Sequence, residues 1–143
     1  MIKVQTRQVE MSEDNMPWPM PDWPKVLLID NEPNTAYIIL RDLHADKINV
    51  LMEETLEAGF ARALKVKPDL IVVDYKFNGD DGITFAKKLR EEPRLASIPR
   101  ILITERELDH ALHMRALAEG YMGCIQKPKF DRSWAQLFRS FMR

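Results

Sequence analysis

Four polar residues stand directly behind short apolar runs of the sequence, and their side chains suit phosphate and metal chemistry. Asp30, Asp74 and Thr104 end the first, third and fourth runs, and Lys127 follows the last. Carboxylates brought together repel each other unless a cation or proton intervenes. An all-oxygen cluster suits Mg²⁺, which keeps several waters and takes few protein ligands. The same cation would screen an incoming phosphoryl group and let a carboxylate act as nucleophile, giving an aspartyl phosphate.

These residues converge only if the apolar runs form neighbouring strands. We predict strands at residues 26–29, 48–52, 70–73, 101–103 and, more weakly, 122–125. The runs are nearly continuous rather than alternating, which indicates burial on both faces of a parallel sheet. Helical spacing of apolar residues separates them, most clearly from Trp134 to Phe141, and Pro33 is placed to begin the first helix. Ligands of such sheets bind beyond the carboxyl ends of the strands, where the four polar residues lie.

The composition predicts one soluble, cytoplasmic domain. A chain of 143 residues with a net charge of −1 can bury one core, and no global field draws it to nucleic acid or anionic lipid. No apolar stretch approaches the roughly 20 residues needed to span a bilayer. The single cysteine, Cys124, excludes an internal disulfide and a multi-thiolate metal site.

The first 24 residues differ from the rest of the chain. Four prolines between residues 17 and 24 predict an extended or polyproline-like segment. The composition is compatible with a disordered leader, and equally with a segment that docks Trp18 and Trp23 onto the domain or a neighbouring subunit. We therefore divide the chain into a Pro/Trp-containing N-terminal extension, residues 1–24, and a domain, residues 25–143.

The joint pattern of the strand ends resembles the receiver domain of response regulators, including the stand-alone chemotaxis type. The resemblance covers residues 25–143. It rests on the four strand-end residues in order, on Gly79-x-Asp81-Gly82 after Asp74, and on Lys127-Pro128 after the last strand. It implies an α/β fold with a doubly wound, five-stranded parallel sheet of flavodoxin-like order 2-1-3-4-5.

The same resemblance implies a role for each strand-end residue. Asp74 would be the phosphoacceptor, Thr104 the switch hydroxyl that moves to bond the phosphate, and Lys127 the lysine that pairs with it. Mg²⁺ would be held by Asp30, Asn31, Asp74 and the backbone carbonyl of Lys76. The Lys127–Pro128 peptide would be cis, a form whose free-energy cost is low only before proline.

The sequence departs from the family pattern at several positions. Asn31 stands where a second acid usually contacts the metal, and the lost charge predicts weaker Mg²⁺ binding. Glu105 stands where a small residue leaves the phosphate accessible, so we expect it to hinder or repel a phosphodonor. Asn78 replaces a frequent proline, which is a mild change. Cys124 occupies the aromatic switch position, and a small thiol there cannot provide the usual aromatic signal.

Each assigned residue also has a purely structural interpretation. Asp74 could cap the next turn, Asp30 could be the N-cap of the helix that begins at Pro33, and Thr104 could cap the fourth helix. Lys127 could be a solvated lysine before proline. Cys124 is better explained as a small buried hydrophobic residue than as a redox sensor.

The function we predict is a phosphorylation-dependent signalling switch rather than an enzyme, beyond self-phosphotransfer and auto-dephosphorylation. A histidine kinase or phosphotransfer domain would donate the phosphoryl group to Asp74, and a homodimer would form through helix four, strand five and helix five. No contact with nucleic acid or membrane is expected of this chain. The alternative is a pseudo-receiver, a protein-interaction module that does not cycle phosphate. A flavodoxin-like cofactor binder is disfavoured, because the turn after strand one is acidic and lacks a glycine- or hydroxyl-rich loop.

Overall fold

The computed structural model describes residues 20–77, 80–105, 107, 109–127 and 134–142, without the side chains of residues 33–35, 76–77 and 80–81. Trp18, Asn78, Gly79 and Pro128, with the features expected of them, lie outside these ranges. Within the described ranges, no helix is both long and apolar enough to cross a membrane.

Strands and helices alternate along the chain, as the apolar runs predict. The strands are β1 (Lys25–Ile29), β2 (Asn49–Glu53), β3 (Leu70–Asp74), β4 (Lys76–Phe77), β5 (Asp80–Asp81), β6 (Arg100–Thr104) and β7 (Cys124–Gln126). The helices are α1 (Pro33–Ala45), α2 (Leu56–Val66), α3 (Gly82–Glu91), α4 (His110–Ala118) and α5 (Trp134–Arg139). The five predicted strands correspond to β1, β2, β3, β6 and β7, with ends shifted by a residue or two. Pro33 is the first residue of α1, as expected.

The main sheet has five parallel strands in the order β2-β1-β3-β6-β7. Two further strands, β4 and β5, form a separate antiparallel pair, so β6 and β7 are the fourth and fifth strands of the main sheet. The order is therefore 2-1-3-4-5, which confirms the predicted doubly wound, flavodoxin-like sheet. The sequence analysis did not anticipate that pair. Its strands are separated by Asn78 and Gly79, the residue types that two-residue hairpins favour.

Two apolar clusters cover the two faces of the sheet. One joins Leu27 and Ile29 of β1 to residues of α2, α3 and α4. The other joins Val26 and Leu28 of the same strand to residues of α1 and α5. Successive strand residues point to opposite faces, so a strand covered by helices on both sides must be apolar throughout. This explains the continuous runs in the sequence.

The strand register brings the predicted site residues to one edge of the sheet. Ile29 pairs with Val73, so Asp30 and Asp74 follow at the same level. Asp74 pairs with Ile103, and Thr104 pairs with Gln126, which precedes Lys127. The four residues therefore meet at the carboxyl ends of the strands, beyond which ligands of such sheets bind.

The opposite edge, where the strands begin, is closed by the segment just before β1. The fully buried Asn49 amide accepts from Met20 N at 2.8 Å and donates to Met20 O at 2.8 Å and Trp23 O at 3.1 Å. The ring centroids of Trp23 and His44 of α1 lie 5.3 Å apart in an edge-to-face arrangement. Burial lowers the pKa of His44. Residues 20–24 thus lie on the domain, which favours docking over a disordered leader for this part of the extension.

A buried arginine closes the same edge beside β6. Arg100 donates to the carbonyls of Leu95 at 3.1 Å, Ala96 at 2.8 Å and Ile98 at 2.8 Å. These bonds all come from Nη2 of the guanidinium and hold the turn that follows α3. At the start of β1, the Asp69 carboxylate accepts from Lys25 N at 2.8 Å.

Candidate functional site

Asp30 is buried directly after β1 and is held there by its own backbone. Its N–H donates to Glu53 O of the neighbouring strand at 3.0 Å, and its Oδ1 accepts from Glu32 N at 2.8 Å. Glu32, not Asp30, is the N-cap residue of α1. The interpretation of Asp30 as that N-cap is therefore wrong, and its second oxygen, Oδ2, points elsewhere.

A lysine ammonium lies between the two buried carboxylates. Lys127 Nζ is 3.2 Å from Asp30 Oδ2 and 3.6 Å from Asp74 Oδ1. The side chains of Lys127, Asp30 and Asp74 are 4%, 0% and 8% exposed, so a solvated lysine is excluded. Neither Lys127 Nζ nor Asp30 Oδ2 has a hydrogen-bond partner among the described residues. The lysine and the two carboxylates are thus held as ion pairs, while Lys127 Nζ and Asp30 Oδ2 make no hydrogen bond to the described residues.

The electrostatics single out Asp74. The pKa of its carboxyl is raised from 3.8 to about 6, chiefly by burial and next by the neighbouring charge of Asp30, while Lys127 opposes both effects. Desolvation and a like charge both disfavour the ionised form. A carboxylate with a pKa near neutrality binds a proton more strongly than an ordinary aspartate does, which makes it a candidate for chemistry.

Thr104 ends β6 beside this cluster and is 1% exposed. Its backbone carbonyl accepts from Lys127 N at 2.7 Å, which fixes the lysine on the neighbouring strand. The N-cap of α4 is Asp109, whose side chain accepts from Leu112 N at 2.7 Å. The interpretation of Thr104 as the cap of the fourth helix is therefore wrong.

The segment after Asp74 returns at once to the end of β3. Tyr75 N donates to Ile103 O at 2.8 Å, and Gly82 N donates to Tyr75 O at 3.0 Å. A Cβ added at Gly82 would lie 2.2 Å from the Asp74 carbonyl oxygen, so only glycine permits this approach. Lys76 opens β4 two residues after Asp74, and the metal-binding role of its carbonyl remains a prediction.

Three of the four departures from the family pattern fall on described residues, and Asn78 does not. Asn31 is half-buried next to Asp30, and Glu105 is exposed just beyond Thr104. Cys124 is 3% exposed within the core, as expected for a small hydrophobic residue. The sequence analysis missed Tyr121, whose buried hydroxyl donates to Gly82 O. No local signal could reveal that contact, because the two residues are 39 positions apart.

The donor atoms at the cluster fit a magnesium ion. Carboxylate, amide and carbonyl oxygens are ligands of hard cations, and the buried Asp30 Oδ2 is an acceptor that a cation would satisfy. Among the described residues, no group of three histidine, cysteine or acidic side chains could hold a metal. The described part of the site therefore offers fewer anionic ligands than a three-carboxylate centre.

Comparison with known proteins identifies the family and the fold. A family model described as the response regulator receiver domain matches residues 26–137. The chain is 29% identical over 98 residues to the alkaline phosphatase synthesis transcriptional regulatory protein PhoP of Bacillus subtilis, covering 68% of this chain and 41% of that protein. It is 31% identical over 99 residues to the KDP operon transcriptional regulatory protein KdpE of Escherichia coli, covering 68% and 43%. The match thus spans less than half of each of these relatives.

Among solved structures, the chain resembles the chemotaxis response regulator CheY4 of Vibrio cholerae. The TM-score is 0.76 at 20% identity, and the match covers 84% of this chain and 99% of that one. At this identity the likeness shows the fold alone, whereas the family model matches the sequence over most of its length. The chain belongs to the response regulator receiver domain family of two-component systems.

Proposed function

We propose that this receiver domain is a phosphorylation-dependent switch that accepts a phosphoryl group on Asp74. The observation that carries the proposal is the buried Lys127 ammonium, which lies within 3.6 Å of two carboxylates and has no hydrogen-bond partner among the described residues. A buried cation whose donors are unused is costly for the fold and well suited to bind an arriving anion.

Asp74 acts as the nucleophile. Its pKa of about 6 leaves it mostly ionised at neutral pH, yet more basic than an ordinary aspartate. A carboxylate oxygen attacks the phosphorus of a phosphohistidine. The phosphorus–nitrogen bond breaks, the histidine nitrogen leaves with the bonding electrons, and an acyl phosphate forms on Asp74.

Two neighbouring groups hold the transferred phosphoryl group. Lys127 donates hydrogen bonds to its oxygens, and the Thr104 hydroxyl donates another as it moves inward. Asp30, Asn31, Asp74 and the Lys76 carbonyl would hold Mg²⁺, which when bound offsets the negative charge of the phosphoryl oxygens. Asn31 predicts that this ion binds weakly.

The phosphodonor we propose is a histidine kinase or a phosphotransfer domain in the cytoplasm. The signal then passes to the surface formed by α4, β7 and α5, through which two copies would associate. We propose no further enzymatic activity and no contact with nucleic acid by this chain. Both partners stay predictions, since the matched relatives extend well beyond the segment that they share with this chain.

Two observations favour a second candidate, a pseudo-receiver that binds partners without cycling phosphate. Asn31 removes a carboxylate from the predicted metal ligands, and the exposed Glu105 adds negative charge beside Thr104. The first change weakens the predicted magnesium site that would offset the phosphoryl charge, and the second repels an anionic phosphodonor. The retained trio of Asp74, Thr104 and Lys127 supports the switch, which is why we place it first.

The test is intact-mass measurement after incubation with magnesium and acetyl phosphate. We expect a gain of about 80 mass units, the mass of one phosphoryl group. Asp74→Asn and removal of magnesium should each abolish it. A second incubation with a phosphorylated histidine phosphotransfer domain covers the case in which Glu105 repels the small anion. Folded protein without an adduct from either donor would contradict the switch and favour the pseudo-receiver.

A further inference from the structure

A buried tyrosine links the segment after Asp74 to the junction of α4 and β7. Tyr121 is 2% exposed and belongs to the apolar cluster that contains Leu112, Ala116 and Cys124. Its hydroxyl donates to the backbone carbonyl of Gly82, the first residue of α3. The side chain therefore joins the start of α3 to the α4–β7 junction within the apolar cluster on one face of the sheet.

The Gly82 end of this link touches the acceptor residue. The closeness that excludes a Cβ at Gly82 means that its backbone lies directly against the Asp74 carbonyl, and its N–H is bonded to Tyr75 O. A displacement of the Asp74 backbone must therefore move Gly82, because packed atoms at contact distance cannot absorb it.

The other end is tied just as firmly to the signalling side. Tyr121 N donates to Ala116 O of α4 at 3.0 Å, and Met122 N donates to Arg100 O at 2.7 Å. Met122 and Met114 are 52% and 48% exposed beside this junction. A hydroxyl buried in the core loses its hydrogen bond if Gly82 moves alone, so the two residues are driven to move together.

We infer that Tyr121 is a positioning residue that couples the state of Asp74 to the α4–β7 surface through the Gly82 carbonyl. The inference deepens the proposed function by naming the route of its signal. Asp74 biases the position of Gly82, and the hydrogen bond carries that bias to Tyr121 and the α4–β7 junction.

The test uses methyl signals of ¹³C-methionine in four magnesium-free proteins: wild type, Asp74→Asn, Tyr121→Phe and the double variant. Asp74→Asn changes the charge at the site without any phosphodonor, so failure of phosphorylation and failure of the link are separate outcomes. We expect this substitution to shift the Met122 and Met114 signals in the wild-type background. In the Tyr121→Phe background the shift should fall by at least twofold.

Leu56→Val is the control for a merely structural role, since Leu56 lies in the same cluster but on α2, which contributes no residue to the Tyr121–Gly82 hydrogen bond. It should destabilise the domain and leave the response to Asp74→Asn intact. Equal shifts with and without the Tyr121 hydroxyl, or no shift at all, would overturn the inference. If Tyr121→Phe fails to fold, hydrogen exchange in wild type and Asp74→Asn decides. Protection of the Gly82 and Tyr121 amides should change by the same factor, and a change at Gly82 alone would refute the link.

Discussion

The two edges of the parallel sheet use buried polar groups in opposite ways. Where the strands begin, the Asn49 amide and the Arg100 guanidinium are bonded to backbone groups around them. Where the strands end, Asp30 Oδ2 and Lys127 Nζ are buried without a hydrogen-bond partner among the described residues. The first edge stabilises the fold, and the second holds charge in a form that a ligand can use.

This difference has a thermodynamic meaning. A satisfied buried polar group contributes to stability, whereas a buried charge without its hydrogen bonds costs stability until a partner arrives. Substitutions should therefore destabilise the protein at the first edge. At the second edge, removing the acceptor charge should stabilise it.

The largest effect should come from Asn49→Ala. The substitution removes three hydrogen bonds to Met20 and Trp23, and we expect it to lower the free energy of unfolding by about 3 kcal/mol. Denaturant titration followed by circular dichroism measures the loss. Asn31→Ala at the other edge is the matched control, with an expected loss below about 0.5 kcal/mol. Equal losses would mean that the two edges do not differ in this way.

The next effect should be a stabilisation, from Asp74→Asn in the absence of magnesium. The folded-state pKa of Asp74 is raised from 3.8 to about 6, so the folded protein binds the proton more tightly than the unfolded chain does. This contribution is fully present below about pH 4 and is lost as the pH rises through about 6. The amide of the Asp74→Asn variant does not ionise, so its stability does not fall in this pH range. The variant should therefore be about 2 kcal/mol more stable than wild type at about pH 8.

Unfolding measured from about pH 4 to pH 8 checks the sign, since the advantage of Asp74→Asn should vanish at the acidic end. Asp69→Asn at the opposite edge keeps an oxygen acceptor for Lys25 N. We expect it to change stability by less than about 1 kcal/mol at pH 8. An Asp74→Asn variant less stable than wild type at pH 8 would refute the account of this edge.

Asn31→Asp should increase the difference between the two edges by adding a carboxylate to the predicted metal ligands. We expect it to tighten magnesium binding about tenfold, because one more negative charge faces the ion at short range. Titration of tyrosine and tryptophan fluorescence with magnesium measures the change. Gln126→Glu adds a charge at the same edge outside the predicted ligand set and should change the affinity by less than about threefold. Similar gains in both variants would point to a general field rather than ligation.

The smallest effect should come from Arg139→Ala at the first edge. Arg139 pairs with Asp46 at 3.0 Å, but their side chains are 47% and 55% exposed. We expect a loss of about 0.5 kcal/mol that shrinks at high salt, since solvent screens such pairs. Thermal unfolding at low and high salt provides the measurement. A loss as large as that of Asn49→Ala would show that exposed ion pairs, too, hold this edge together.

The sequence was sufficient to predict the five strands of the main sheet, the helices and the edge at which the acidic residues and the lysine meet. Continuous apolar runs report burial on both faces, and residues at strand ends follow from the period of the strands themselves. The strand order came from the family resemblance, because local periodicity carries no information about which strands are neighbours.

Besides the short β4–β5 pair, two contacts that escaped prediction join distant parts of the chain. Asn49 meets Met20 from 29 positions away, and Tyr121 meets Gly82 from 39 positions away. Neither asparagine in a strand nor tyrosine before one signals its partner. The alternatives for Asp30 and Thr104 stayed open for a similar reason, since capping depends on where each helix begins, and sequence patterns locate that point only to within a few residues.

Lys127 follows β7, which has three residues and lies at the margin of the sheet with β6 as its strand neighbour. A short strand with one neighbour has few ladder bonds to lose, so it opens locally at a lower free energy than the interior strands. Such an opening would withdraw the Lys127 ammonium from Asp30 and Asp74 while the rest of the domain stays folded. Local opening of β7 would therefore change the net charge of the cluster. A partner that binds β7 and keeps it closed would also set the charge that Asp74 experiences.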